Sequence, residues 1–213
     1  MSVVGCSVFF MDKIDFRAER KDLYAPGSAQ FSVVEVPRFE FFAVDGRGDP
    51  NTSAEYAAAV EALFAVSFAA KFASKRVFGR DYVVAPLEGL WTSSPLSFTS
   101  GEKGDWQWTM LMRQPDWLTA EVREHALETA HTKQLAAASL VRFLVLTEGQ
   151  SVQILHVGGY DDEAPAIARL HRDYLPANGF VENGAHHEIY LSDPRRVEQA
   201  KLKTILRQPV RTA

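Results

Sequence analysis

Three side chains at alternate positions, His186, Glu188 and Tyr190, set a carboxylate between an imidazole and a phenol on one face of a short extended segment. Ile189 and Leu191 occupy the other face, and Asp193-Pro194 ends the run. A carboxylate at the centre of a strand finds little water, so it is paired, protonated or functional; the plainer reading is a solvated face. A second alternating run, Trp106, Trp108, Met110 and Met112, puts two indoles and two thioethers on one face. Aromatic faces stack flat ligands and attract cations at roughly 0.5–2 kcal/mol per contact. A carboxylate among aromatics is poorly solvated, which raises its pKa and suits it to act as a general base near neutral pH. Such a base can take a proton from an attacking water. Trp and Met at period two are also ordinary core, and that reading stands beside the first.

Other chemistry finds less support. His186 and His187 are neighbours on a strand and point to opposite faces, so no shared metal is expected. Cys6 has no local group to activate it, and Ser93 and Ser94 lack a nucleophile elbow. The segment Asp45-Gly46-Arg47-Gly48-Asp49-Pro50 is a turn and fits neither a dinucleotide fingerprint nor a phosphate loop. A net charge of −4 without like-charge blocks recommends neither nucleic acid nor an anionic membrane as partner. One cysteine excludes a disulfide framework within the chain, and no signal peptide or run of about 18 uncharged apolar residues is visible. The expected setting is cytoplasmic.

These side chains need strands to hold them. Residues 1–30 read as a peripheral N-terminal extension, charged and mildly helical at 13–22 and ending in a linker, Ala25-Pro26-Gly27-Ser28. Strands are predicted at 31–36, 39–44, 82–91 and 106–113, with Pro86 marking an edge or bulge. A long helix is predicted at 52–75, opened by the capping box Thr52-Ser53-Ala54-Glu55 and closed by Gly79. A second helix follows Thr119 to about residue 134. Residues 141–146 and 151–157 read as a hairpin, residues 162–177 as a third helix, and 203–206 as an edge strand. Strand, strand, acidic glycine-bearing turn, helix and strand occur from Phe31 and again from Val141. This predicts an α+β fold with two related halves, a mostly antiparallel sheet, and helices on one face. The opposite face is then free to line a groove where Trp106, Trp108 and Glu188 converge.

The motifs Tyr82-Val83-Val84-Ala85-Pro86-Leu87-Glu88-Gly89-Leu90-Trp91, Met112-Arg113-Gln114-Pro115-Asp116-Trp117 and Gln153-Ile154-Leu155-His156-Val157-Gly158-Gly159-Tyr160-Asp161 carry a resemblance. In this order the chain resembles the GyrI-like small-molecule-binding family, in its stand-alone branch. The resemblance implies two pseudo-symmetric β-α-β-β modules around a central ligand cleft, spanning 31–213 as halves of about 31–118 and 140–210 joined by a helix. It also implies binding of flat, hydrophobic, often cationic or electrophilic compounds. Some stand-alone members are cyclopropanoid hydrolases that open DNA-alkylating natural products. Glu188 is similar to the family's central acidic residue and is the expected catalytic group. Tyr82, Trp91, Trp106, Trp108, Met110, His186 and Tyr190 are the expected ligand-binding residues. The related SOUL family suggests a porphyrin, but no histidine here stands where an axial ligand is needed, and no cofactor is expected. The expected partner is a small-molecule ligand or xenobiotic, with a homodimer allowed for. Two functions stay open: a detoxifying hydrolase, or a non-catalytic multidrug-binding or sensing module without a DNA-binding domain.

Overall fold

The computed structural model describes residues 13–92 and 106–213. Cys6, Ser93 and Ser94 lie outside the described residues. Two short helical turns, α1 (Phe16–Glu19) and α2 (Lys21–Tyr24), precede strands β1 (Ser32–Val36) and β2 (Phe39–Arg47). The long helix α3 spans Ala54–Phe78; its cap is Ser53, whose hydroxyl accepts from the Tyr56 amide at 3.2 Å, one residue later than the predicted box. Gly79, in the left-handed region at φ 67°, closes it as expected. Strand β3 is short, Leu87–Trp91, because Pro86 offers no amide to a ladder; Tyr82 makes only a bridge to Ile14. Strand β4 (Gln107–Gln114) and the helix Ala120–His131 finish the first half.

The second half holds β5 (Arg142–Leu146) and β6 (Gly149–Val157), then a helical segment over 160–177 with a π turn at Leu170–Tyr174. Strands β7 (Phe180–Glu182), β8 (His186–Tyr190) and β9 (Lys203–Thr212) complete it. The main sheet runs β1-β6-β9-β8-β3-β4-β2-β5, all strand pairs antiparallel, with β7 beside β9. The order is symmetric about the β8–β3 junction, as a two-half chain requires. Two expectations for the sheet are overturned: β9, expected as an edge strand, lies between β6 and β8, and β5 and β6 do not pair with each other. Instead β1 pairs β6 and β5 pairs β2, so each half lends its first strand to the other's edge.

Helix α3 packs over β2 and β4, burying Ala59, Ala62, Val66, Ala70 and Ala73 against Phe42, Val44, Met110 and Met112. By length and composition α3 could also cross a bilayer, but half of that apolar stretch is buried against this sheet. Ile167 packs on Ile154 and Leu206, and Leu170 and Leu175 on Val152 and Val210. Register places all these strand residues on one face. On the other face α1 and α2 are far from peripheral: Phe16, Leu23 and Tyr24 are buried against Ile189 and Ile205.

Candidate functional site

The pair Gly89–Glu188 is the middle rung of the β3–β8 ladder and therefore the centre of the sheet. Directly opposite Gly89 on β4 is Met110. Glu188 and Met110 are thus two strand spacings apart, about 10 Å, with no side chain between them. Trp91, Trp108, His186 and Tyr190 share this face. It is the helix-bearing face, which corrects the expectation of a groove on the helix-free side. The central strands lie between α3 and the 160–177 segment, and the helices wall the site.

The carboxylate is held by a directed chain. Trp91 Nε1 donates to the Tyr190 hydroxyl at 3.2 Å, and that hydroxyl donates to Glu188 Oε2 at 2.7 Å. Burial first, and then the charge of Glu188, push the Tyr190 phenol well above its ordinary range, so it stays a donor at any physiological pH. Gly89 makes the chain possible. A Cβ there would lie 3.1 Å from Trp91 Nε1, 3.2 Å from the Tyr190 hydroxyl oxygen and 3.3 Å from Met110 Sδ. A Gly89→Ala substitution is expected to displace the Tyr190 hydroxyl and lower ligand affinity; calorimetric titration against wild type checks this.

Two more phenols face the same charge. Burial, then Glu188, raises Tyr56 far above its normal value; burial, then Glu163 and Glu188, pushes Tyr160 up to about 12. Neither hydroxyl bonds another described residue, so both are donors free for a ligand oxygen. Tyr56 sits in the first turn of α3 and Tyr160 opens the corresponding segment of the second half. Tyr160 also packs edge-on against Tyr190 at 5.6 Å. The sequence reading missed both, although the repeat it detected contains a tyrosine at the start of each helical segment.

The other expected residues divide. Trp91 and Trp106 meet edge-to-face at 5.4 Å, and Trp106 is the more accessible of the two. Trp108, only 2% exposed, is wedged between Tyr56, edge-on at 5.2 Å, and Gly46, where any Cβ would overlap its ring. It supports Tyr56 from below. His186 lies with Nε2 3.9 Å from Glu188 Oε1; burial, with His171 and His187 nearby, drives its pKa down to about 3, so it is neutral. Tyr82 stands apart from this group: its ring packs on Phe16 and Trp117 and its hydroxyl donates to Gln114. Glu88, next to Gly89, points through the opposite face. Its Oε2 lies 3.0 Å from His187 Nε2, under Tyr24. Among the described residues no group of three metal-ligating side chains converges.

No curated protein matches this chain. Solved structures do. An uncharacterised conserved protein from Listeria innocua is 41% identical, with a TM-score of 0.84 over 93% of this chain and 100% of its own. A hydrolase from Listeria innocua is 39% identical, with a TM-score of 0.83 over 94% and 100%. The EcmrR C-terminal domain, 13% identical with a TM-score of 0.55 over 86% of this chain and 98% of its own, shares the fold. A model of the GyrI-like small molecule binding domain matches residues 29–211, and with it the symmetric sheet and its walled centre have a family: this chain belongs to the GyrI-like small-molecule-binding domains.

Proposed function

We propose that this domain hydrolyses flat, electrophilic, cyclopropane-bearing compounds of the DNA-alkylating type, with Glu188 as the general base. The observation that carries the reading is the chain Trp91–Tyr190–Glu188 at the sheet centre, which presents an oriented carboxylate among indoles and phenols. In the reaction, water attacks a ring carbon and its proton passes to Glu188. The ring C–C bond breaks, and its electron pair moves into the conjugated carbonyl. Tyr56 or Tyr160 donates a hydrogen bond to that oxygen as charge builds there, and the proton held by Glu188 is then passed to the oxygen, which regenerates the carboxylate. The net change is addition of one water. Trp106 and Trp91 supply an apolar wall for a planar ring system. The Listeria hydrolase at 39% identity supports a hydrolytic assignment.

Incubation of purified protein with a cyclopropane-bearing alkylator is expected to yield the ring-opened water adduct, read by mass spectrometry. Binding without any adduct would instead assign the domain to sequestration or sensing. Trp106→Ala is expected to weaken binding of flat aromatic cations by about 2- to 30-fold, the equivalent of roughly 0.5–2 kcal/mol for one aromatic contact. Unchanged affinity would remove Trp106 from the wall.

A further inference from the structure

Helix α3 turns its alanines to the sheet and leaves an apolar stripe outward. Phe68 and Phe72 are 44% and 63% exposed and stack on each other with ring centroids 6.4 Å apart. Along the same line lie Glu61 and Ala65 before them and Lys75 after them. Positions 61, 65, 68, 72 and 75 advance by alternating steps of four and three, the seam spacing by which two helices interdigitate. A pair of exposed phenylalanines on a rigid helix is unfavourable to leave in water.

The charge order selects the occupant. The stripe is acidic at its N-terminal end and basic at its C-terminal end, and Phe68 is midway between Glu61 and Lys75. At 1.5 Å per residue each charge lies about 10 Å from that midpoint. A second α3 laid antiparallel therefore brings each Glu61 to within about one turn of the partner's Lys75, with the phenylalanines packed between them. A parallel pair would stack like charges instead. Lys75 is available for this: its side chain is 65% exposed and its contact within the chain is a long one, 3.8 Å to Asp81 Oδ2. The surface is self-complementary about a two-fold axis, as an isologous interface requires.

We propose that the outer face of α3 is the interface of an antiparallel homodimer. One helix pair buries less than the roughly 800 Å² per partner of standard interfaces, so the expected dissociation constant is micromolar. Sedimentation velocity on the full chain from about 1 to 200 µM should show a monomer–dimer equilibrium. Phe72→Glu should leave only monomer. Glu61→Lys should weaken the dimer by about tenfold or more, and the double charge reversal Glu61→Lys with Lys75→Glu should restore it. All three positions are exposed, and circular dichroism confirms that the variants fold. A wild type monomeric throughout, a dimer indifferent to Phe72→Glu, or a double reversal that fails to restore association would each overturn the proposal.

Discussion

Glu188→Gln is expected to lower turnover of a cyclopropane-bearing substrate by about 10²–10⁴-fold, the usual contribution of a general base. The amide is nearly isosteric and still accepts the Tyr190 hydrogen bond, so the pocket keeps its shape. The loss should fall on kcat, with the dissociation constant of a neutral ligand little changed. A cationic ligand behaves differently, because the counter-charge is gone, and its affinity should fall as well. Single-turnover kinetics together with equilibrium titration separate these terms. Wild-type turnover in the variant would end the assignment of Glu188. Glu88 is no substitute, since it faces the other side of the sheet.

The largest expected effect on stability lies on that other side. His187 Nδ1 is 2.9 Å from Glu148 Oε1 and its Nε2 is 3.0 Å from Glu88 Oε2. Arg207 Nη1 reaches Glu148 Oε2 at 3.2 Å, while the same guanidinium donates to Gln153 and to the Leu23 carbonyl. All four charged groups are buried. Burial opposes the charge on His187, but Glu148 and then Glu88 outweigh it and raise its pKa to about 9. His187→Ala leaves two buried carboxylates facing each other, at an expected cost of about 3–5 kcal/mol. That lowers Tm by roughly 6–20 °C in a chain of this size. The wild type should also show a signature in pH. A histidine with its folded pKa raised from 6.5 to about 9 contributes fully below pH 6.5 and loses its contribution as pH rises through 9. Denaturant unfolding should therefore register a decline of about 3 kcal/mol across that window, absent in His187→Gln. On the acid side burial works against Glu148, but His187 and Arg207 hold it down to about 2. Its share is present above pH 4.5 and fades as pH falls through 2. A flat profile between pH 6.5 and 9 would show that His187 is not charged in the folded state.

Alternation made much of the site legible before the structure. Glu188 and Tyr190 share a face with Trp108 and Met110, as period two requires, and the repeated element order anticipated the two halves. The side of the sheet was not legible, because α3 and the 160–177 segment cover the flanking strands while sparing the central pair, and periodicity carries no information on lateral spread. The network around His187 depends on Glu148, in the connection between β5 and β6, and on Arg207 of β9, residues distant in sequence. One signal was present: His187 stands on the same face as Ile189, and a titratable group on a core face announces buried partners. Tyr82 was expected at the ligand only through the resemblance; nine residues from Trp91 it has the opposite parity, and it packs on Phe16 and Trp117.

The traded outer strands have a kinetic meaning. Ser32 bonds Gln153 across 121 residues, and β5 closes the first half only after the second has begun. Neither half presents a finished sheet edge on its own, so assembly waits for most of the chain, and contacts this distant in sequence slow folding towards the millisecond-to-second range. Cutting the chain between residues 132 and 141 should yield two fragments that are aggregation-prone apart and complement each other when mixed. The same geometry is that of a strand-swapped dimer of two half-length units, here tied together by one linker.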